Sequence, residues 1–349
     1  MRMKLVDVSP LSWIVSEQVR SARGSWNERE GVKLTFEDEA GRIGYGEASP
    51  LPGYSRETLA DCWGVLSKLR GTTWSVGVEP EKALRMLRSN GTDQELAALR
   101  FALEMGYFDL LSQRLTADAL ALAPSQFRPL LLRSEPVGIP VAALLENSSV
   151  EACVRSAKRA MSSGISTFKL KLGREACWDL ELTQLQALRD TFGDSVRLRA
   201  DANQHLGEPL AEKLHVLGKF KLDFIEEPCD SLASLEESYP PGAATIALDE
   251  SLQALDPDML TTDPPAARSL RSLIERGAVG ALVLKPMALG GLARCLKWAH
   301  FAHQAQLKVI VSHLFSGPIA SRWEKRLAAS IGTPTEAQGL HYQPTHSAP

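Results

Sequence analysis

The stretch Phe168-Lys169-Leu170-Lys171 is a short apolar run that ends in a charged residue. A buried strand has this appearance when it is short, apolar and bounded by charged or turn-forming residues. Four later runs repeat the pattern, at residues 196–203, 224–228, 246–250 and 282–286. Helical patterns separate these runs, which is typical of βα units around a parallel sheet. The sequence therefore predicts an α/β barrel, in which chemistry takes place at the carboxyl ends of the strands.

The pattern changes along the chain in a way that predicts two domains. Short runs with polar interruptions over residues 1–48 indicate an antiparallel sheet, and helical patterns follow them. We predict an N-terminal α+β capping domain over residues 1–115 and a proline-interrupted connector over residues 116–136. A modified (β/α)₇β TIM-type barrel with a C-terminal tail would occupy residues 137–349, with a weak eighth strand near residues 339–342.

The composition is that of an ordinary globular protein and gives no sign of a specialised partner or of a disulfide framework. The chain has 349 residues, is 44% apolar and 23% charged, and carries a formal net charge of -3. These values describe a globular protein and give no reason to expect a nucleic-acid or membrane partner. The five scattered cysteines contain no C-x-x-C motif, and the N-terminus lacks the apolar stretch of a signal peptide. We therefore expect a cytoplasmic protein, and the sequence leaves its oligomeric state open.

Three lysines fall at the ends of predicted strands. Lys169 and Lys171 are two residues apart, so a strand would point both toward the barrel interior. Adjacent ammonium groups repel each other, which lowers the pKa of one and makes a neutral amine available as a general base. Lys285 ends the sixth strand and would face this pair across the ring. The alternative interpretation of a lone K-x-K pattern is a solvated strand face.

Three acids, Asp201, Glu226 and Asp249, end three successive predicted strands. Converging carboxylates repel one another unless a cation joins them, and oxygen ligands favour Mg²⁺, with Mn²⁺ as the alternative ion. For any one of these acids, the alternative is a simple cap on the following helix. The neighbours expected to orient ligands, lysines or substrate are Arg199, Asn203, Glu227, Glu250 and, through its backbone in a tight loop, Gly290.

Other kinds of site find little support in the sequence. There is no P-loop, no dinucleotide fingerprint and no nucleophile elbow. His313, after the seventh predicted strand, could reach the pocket, but we expect a surface or core histidine there.

With these residues in place, the chain resembles the enolase superfamily and, within it, the muconate-lactonizing-like subgroup. The resemblance rests on K-x-K, D-x-N, EEP, DE and K-P at successive strand ends, and on residues 44–58 and 247–252. It implies that the three acids bind Mg²⁺ and that Lys171 removes the proton α to the carboxylate of a small-molecule substrate. It also implies that the metal and Lys285 stabilise the resulting enediolate, and that the segment beginning at Ser312 contacts the substrate.

The resemblance further implies a hydro-lyase. The expected reaction is the syn elimination of water from 2-succinyl-6-hydroxy-2,4-cyclohexadiene-1-carboxylate, in which Lys171 returns its proton to the leaving hydroxyl. A loop at residues 19–30 and a turn at residues 51–55 would close over the succinyl tail. Two alternatives stay open: a racemase of N-acylamino acids or epimerase of dipeptides that uses both opposed lysines, and a non-catalytic binding barrel. The intact set of three acids and three lysines argues against the second.

Overall fold

The structure is a computed structural model of the chain, and it describes residues 1–15, 20–21, 24–25, 27–77, 79–89, 96–261, 264–341 and 345–346. Parts of the predicted loop at residues 19–30 therefore lie outside the described residues. The strands are β1 Arg2–Ile14, β2 Arg20–Ser21, β3 Gly24–Ser25, β4 Glu28–Asp38, β5 Ile43–Ala48, β6 Thr73–Ser75, β7 Ala143–Leu144, β8 Thr167–Lys171, β9 Arg197–Asp201, β10 Phe224–Glu226, β11 Ile246–Leu248, β12 Val279–Leu284, β13 Lys308–Val311 and β14 Thr345–His346.

The helices alternate with the strands from β7 onward. They are α1 Leu59–Leu69, α2 Pro80–Ser89, α3 Ala97–Arg114, α4 Ala117–Leu122, α5 Arg128–Leu131, α6 Val150–Ser162, α7 Trp178–Phe192, α8 Leu210–Gly218, α9 Leu232–Ser238, α10 Ser251–Ala254, α11 Pro265–Glu275, α12 Pro286–Leu289, α13 Leu292–Gln304 and α14 Pro318–Ile331. Within the part of the chain that the structure describes, no helix combines the length and apolarity needed to cross a membrane.

The N-terminal part is an antiparallel sheet covered by helix α3. The strand order is β14-β1-β4-β5, with β6 paired to β1. Nearly every residue of α3 is buried, because one side of the helix packs on the sheet and other sides face the barrel. The helix approaches β5 so closely that a Cβ on Gly46 would lie 2.0 Å from the carbonyl oxygen of Ala102. Only glycine allows this distance between strand and helix.

The C-terminal part is the expected parallel barrel. Strands β7 to β13 form one sheet in sequential order, and every pairing is parallel. Gln338 bridges to Val141 and Gly339 bridges to Ser312, so a short segment between the first and seventh strands closes the ring. The predicted α/β barrel with an added α+β layer is confirmed, whereas the domain boundaries at residues 115 and 137 stay predictions. The eighth strand is reduced to these two bridges.

Arg199 fills the amino end of the barrel and lies apart from the strand ends that carry the acids. Its guanidinium donates to Asp223 Oδ2 at 2.8 Å, to Glu336 Oε2 at 2.9 Å and to the Ala337 carbonyl at 2.5 Å. It also stacks over the Phe224 ring at 4.6 Å. The sequence predicted that Arg199 orients ligands, lysines or substrate, but its contacts are with the amino-end ion pairs and the Ala337 carbonyl. Its role in the structure is to neutralise buried acids.

Two buried glutamates of the N-terminal layer attach it to the barrel. Glu47, at the end of β5, accepts hydrogen bonds from the amides of Gly317, Ile319 and Ala320 at 2.7, 3.2 and 3.1 Å. Glu104 of α3 accepts one from the amide of Ala293 at 3.0 Å. These amides belong to the first turns of α14 and α13, where helices have no internal acceptors and the helix dipole favours negative charge. The glutamates therefore satisfy two barrel helices from outside the barrel.

We expect Glu47→Ala to destabilise the protein by about 3 kcal/mol, because it leaves buried amides without acceptors. Urea unfolding followed by circular dichroism measures this change. The matched control is Glu37→Ala, on the exposed face of β4, which should alter stability by less than about 0.5 kcal/mol. Similar costs for the two variants would contradict the assigned contact.

Replacing Arg199 with leucine should cost on the order of 3 kcal/mol, since Asp223 and Glu336 stay buried with fewer cations. Arg197→Leu is the matched control, because Arg197 contacts the same oxygen of Glu336 at 2.8 Å but keeps 49% of its side chain exposed. Its loss should cost less than about 1 kcal/mol. Thermal unfolding measures the change in Tm of each variant. Equal decreases in Tm would show that the buried Arg199 contributes no more stability than the exposed Arg197.

Candidate active site

Six charged side chains meet at the carboxyl edge of the barrel sheet. They are Lys169, Lys171, Asp201, Glu226, Asp249 and Lys285. The register pairs Lys171 of β8 with Asp201 of β9, and Asp201 with Glu226 of β10. Asp249 and Lys285 directly follow β11 and β12. Because parallel strands end at the same edge, the ends of five neighbouring strands bring these groups together. The sequence predicted this convergence, and the structure shows it.

Lys169 lies between two carboxylates. Its Nζ is 2.7 Å from both Asp201 Oδ2 and Glu226 Oε2. Burial alone would lower the pKa of Lys169, but the adjacent carboxylates of Asp201 and Glu226 outweigh burial and raise it. Lys169 is therefore held as an ammonium ion.

Lys171 has the opposite electrostatic environment. Burial lowers its pKa, the carboxylate of Asp201 opposes that effect from 3.6 Å, and the neighbouring ammonium groups of Lys169 and Lys285 lower the pKa further. The net shift is downward, and 17% of the side chain is exposed to solvent. Of the two lysines on β8, Lys171 is thus the one whose neutral form is favoured.

A short chain of polar side chains orients Lys171. Its Nζ donates to Asn203 Oδ1, and Asn203 Nδ2 donates to Glu250 Oε1 at 3.2 Å. The backbone amide of Asn203 also donates to Asp201 Oδ1 at 3.0 Å. The structure therefore brings the predicted orienting residues Asn203 and Glu250 next to the lysine that could act as a base.

Lys285 lies on the opposite side of the acids from Lys171. Its Nζ contacts Asp249 Oδ2 directly and is 3.7 Å from Glu226 Oε1. Burial would lower the pKa of Lys285, but the carboxylate of Asp249, followed by smaller contributions that include Glu226, raises it well above its ordinary value. Lys285 is a permanent positive charge in this environment.

The three predicted metal ligands are of the kind that a hard divalent cation prefers. Asp201, Glu226 and Asp249 are each 2% exposed, and Glu226 Oε1 is buried without a hydrogen-bond partner. Burial, with the nearby Asp201 carboxylate, raises the pKa of Glu226, and burial raises that of Asp249 to about 7 despite Lys285. In the structure the ammonium groups of Lys169 and Lys285 lie against these carboxylates. Among the described residues, no three acids, histidines or cysteines enclose a common metal position. The all-oxygen donor set is the kind that Mg²⁺ prefers.

The remaining predicted residues support the backbone around the site. Glu227 accepts hydrogen bonds from the amides of Asp249 and Ser251 at 2.7 and 3.0 Å, so it fixes the turn that presents Asp249. The amide of Gly290 donates to the Pro286 carbonyl at 3.1 Å and is used within its own loop. Ser312 Oγ donates to the Gly339 carbonyl at 3.3 Å, where the barrel closes.

His313 is half-buried and lies within electrostatic range of Lys285 and Lys169. Its Nδ1 accepts a hydrogen bond from the amide of Phe315 at 3.0 Å, and its ring contacts the Phe315 ring. Burial lowers the pKa of His313 to about 3, with help from the ammonium groups of Lys285 and Lys169. The imidazole is therefore neutral near pH 7. The sequence favoured a surface or core histidine here, and the structure places a half-buried ring that packs against Phe315.

Tyr54 is the site residue that the sequence did not identify. It lies in the turn of residues 51–55, far from the barrel in sequence, and its hydroxyl donates to Asp249 Oδ1 at 2.8 Å. The resemblance implied that this turn closes over the substrate, but no spacing relates the turn to a barrel strand, so Tyr54 itself was not singled out. The run at residues 44–58, which supported the resemblance, was the one available signal.

Relatives of this chain include two enzymes with different activities that match it with similar identity and coverage. The chain is 27% identical over 285 residues to the o-succinylbenzoate synthase of Thermosynechococcus vestitus, covering 79% of this chain and 74% of the relative. It is 23% identical over 305 residues to the N-succinyl-L-Arg/Lys racemase of Bacillus cereus, covering 85% and 76%. Neither similarity alone separates a dehydratase from a racemase.

Solved structures of the same two kinds of enzyme share the fold. The N-succinyl Arg/Lys racemase from Bacillus cereus superposes with a TM-score of 0.77 at 21% identity, covering 97% of this chain and 88% of that one. The o-succinylbenzoate synthase from Thermosynechococcus elongatus, which has Mg in its active site, superposes with a TM-score of 0.69 at 24% identity, covering 100% and 95%. Residues 152–348, more than half of the chain, match the Enolase C-terminal domain-like family. The chain therefore belongs to this family, in agreement with the predicted membership of the enolase superfamily.

Proposed function

We propose that the chain is a Mg²⁺-dependent o-succinylbenzoate synthase, a hydro-lyase of menaquinone biosynthesis. The observation that carries the proposal is the contrast between two lysines on opposite sides of three buried carboxylates. Lys171 Nζ donates to the neutral amide of Asn203, and burial and the neighbouring ammonium groups lower its pKa, whereas Lys285 Nζ directly contacts the Asp249 carboxylate. One base and one fixed cation are what a one-base elimination next to a carboxylate requires.

In this proposal Asp201, Glu226 and Asp249 hold the metal. When bound, Mg²⁺ supplies positive charge that stabilises the negative charge developing on a substrate carboxylate. Lys285 adds its ammonium charge from the other side. Lys169, paired with Asp201 and Glu226, keeps two of the acids ionised and oriented.

The proton travels through Lys171. Its Nζ removes the proton α to the substrate carboxylate, and Asn203 and Glu250 hold the amine at the edge of the cavity. The same ammonium then returns this proton to the departing hydroxyl, so a C–H bond and a C–O bond break, a C=C bond forms and water leaves. Aromatisation of the ring drives the step, which is why the protein needs no second acid for the leaving group.

The second candidate function is racemisation or epimerisation of N-acylamino acids or dipeptides. It is favoured by the higher TM-score of the N-succinyl Arg/Lys racemase and by the opposed placement of two lysines. Two-way proton transfer requires each lysine to be neutral in turn, whereas the elimination uses only Lys171 as a base. An assay of both reactions therefore separates the two candidates.

Two further elements of the proposal concern the protein as a whole. We propose a cytoplasmic location, supported by five cysteines that form no disulfide among the described residues. The expected substrate is a small carboxylate. Two neighbours of the same fold are named for such molecules: a dipeptide epimerase from Enterococcus faecalis, solved with Mg and a dipeptide, and the N-succinyl Arg/Lys racemase.

The test of function is a comparison of two substrates with the purified protein in Mg²⁺. Ultraviolet absorbance follows formation of 2-succinylbenzoate from the cyclohexadiene substrate, and polarimetry follows racemisation of N-succinylamino acids. We expect dehydration that a chelator abolishes and added Mg²⁺ restores. Racemisation without any aromatic product would instead establish the second candidate.

Lys171→Ala should reduce dehydration by about 10³-fold or more, because no other neutral amine lies at that position. Lys158→Ala, on the exposed side of α6, is the matched control and should retain wild-type turnover. Circular dichroism and thermal unfolding check that both variants are folded. Turnover by a folded Lys171→Ala variant near the wild-type rate would remove Lys171 from its assigned role.

A further inference from the structure

The turn that carries Tyr54 is held rigidly at the mouth of the barrel. The amide of Tyr54 donates to the Leu51 carbonyl at 3.1 Å, and Ser55 Oγ accepts from the Leu51 amide at 2.9 Å. Just before the turn, the buried guanidinium of Arg29 donates to the carbonyls of Ser49 and Pro50 at 2.9 and 3.1 Å. The backbone of the turn that carries Tyr54 is therefore held by contacts within the N-terminal layer.

The Tyr54 side chain contacts two members of the charged cluster at once. Its hydroxyl donates to Asp249 Oδ1 at 2.8 Å and lies 3.3 Å from Lys285 Nζ, which can donate to it. The same Nζ lies 4.8 Å from the centre of the Tyr54 ring, which is within the range of a cation–π contact. A single residue of the N-terminal layer thus orients one proposed metal ligand and one proposed catalytic cation.

We propose that Tyr54 is a positioning residue that completes the cation site from the N-terminal layer. By holding Asp249 Oδ1, the phenol fixes the rotation of the carboxylate and directs Oδ2 toward the centre of the cluster. By contacting Lys285 with both its oxygen and its ring, it fixes the ammonium group beside the site. This inference rests on the proposed function, because it takes Asp249 as a metal ligand.

A purely packing role for Tyr54 predicts different consequences. Replacing a residue that hydrogen-bonds to a metal-binding carboxylate typically lowers metal affinity or activity by about 10–100-fold. A tyrosine that only packs would affect stability while leaving the metal affinity of the folded protein unchanged. Metal affinity, measured without substrate, therefore separates the two roles.

The experiment titrates Mg²⁺ into the full-length protein by calorimetry, with no substrate present. Tyr54→Phe removes the hydroxyl and keeps the ring, and we expect its Kd for Mg²⁺ to rise about 10-fold. Tyr45→Phe is the matched control, because Tyr45 is an exposed tyrosine of the same layer, and its Kd should equal that of the wild type. Thermal unfolding in the absence of Mg²⁺ confirms that each variant is folded.

A second variant separates the ring from the hydroxyl. Tyr54→Leu removes both, and we expect it to lower kcat below that of Tyr54→Phe by a further few-fold, with KM changing less, since Lys285 loses its aromatic contact. A folded Tyr54→Phe variant with wild-type Mg²⁺ affinity would overturn the inference and leave the proposed function standing. A wild-type protein that binds no Mg²⁺ would overturn both.

Discussion

The structure depends on mutual neutralisation of buried charges at the carboxyl edge of the barrel. Three carboxylates in one apolar barrel would each carry a large desolvation cost, which only nearby positive charge can offset. Lys169 and Lys285 supply that charge through direct contacts with the acids. The same contacts raise the pKa of Lys169 and Lys285, whereas the pKa of Lys171 is lowered by burial and by the two neighbouring ammonium groups. Stability and reactivity in this site thus follow from one set of distances.

The N-terminal layer is part of this arrangement. Glu47 and Glu104 satisfy the first turns of α14 and α13, and those contacts hold the layer over the mouth of the barrel. The turn that carries Tyr54 follows β5 by only a few residues, so the attachment at Glu47 also sets the position of Tyr54. A carboxylate that accepts hydrogen bonds from a helix N-terminus makes a strong and directional contact. Such contacts can fix the position of the N-terminal layer relative to the barrel, and with it the position of Tyr54.

The fold and the charged cluster could be predicted from sequence because both follow from short-range rules. Strand ends such as Lys171, Asp201 and Glu226 were recognisable as apolar runs that stop at charges, and parallel sheets bring such ends together. Arg199 shows the limit of that reasoning. Alternation along β9 correctly placed it on the inner face, but partners such as Glu336 come from a part of the chain with no recognisable periodicity. Tyr54 is similar, since its contact with Asp249 joins residues 195 positions apart.

The amino-end layer around Arg199 has a consequence for how this barrel can change over time. An apolar cluster of Phe224, Ala247, Ala281, Val283 and Ile310 lies in the barrel interior. Phe224, Ala247 and Val283 each precede a charged residue of the site, Glu226, Asp249 or Lys285, by two positions. The salt bridges of Arg199 with Asp223 and Glu336 lie on the amino side of this cluster, away from the loops at the mouth. Mutations in those loops that leave the charged cluster intact can therefore alter which molecule fits without removing these salt bridges, so a barrel of this construction can change between related carboxylate substrates while it remains folded.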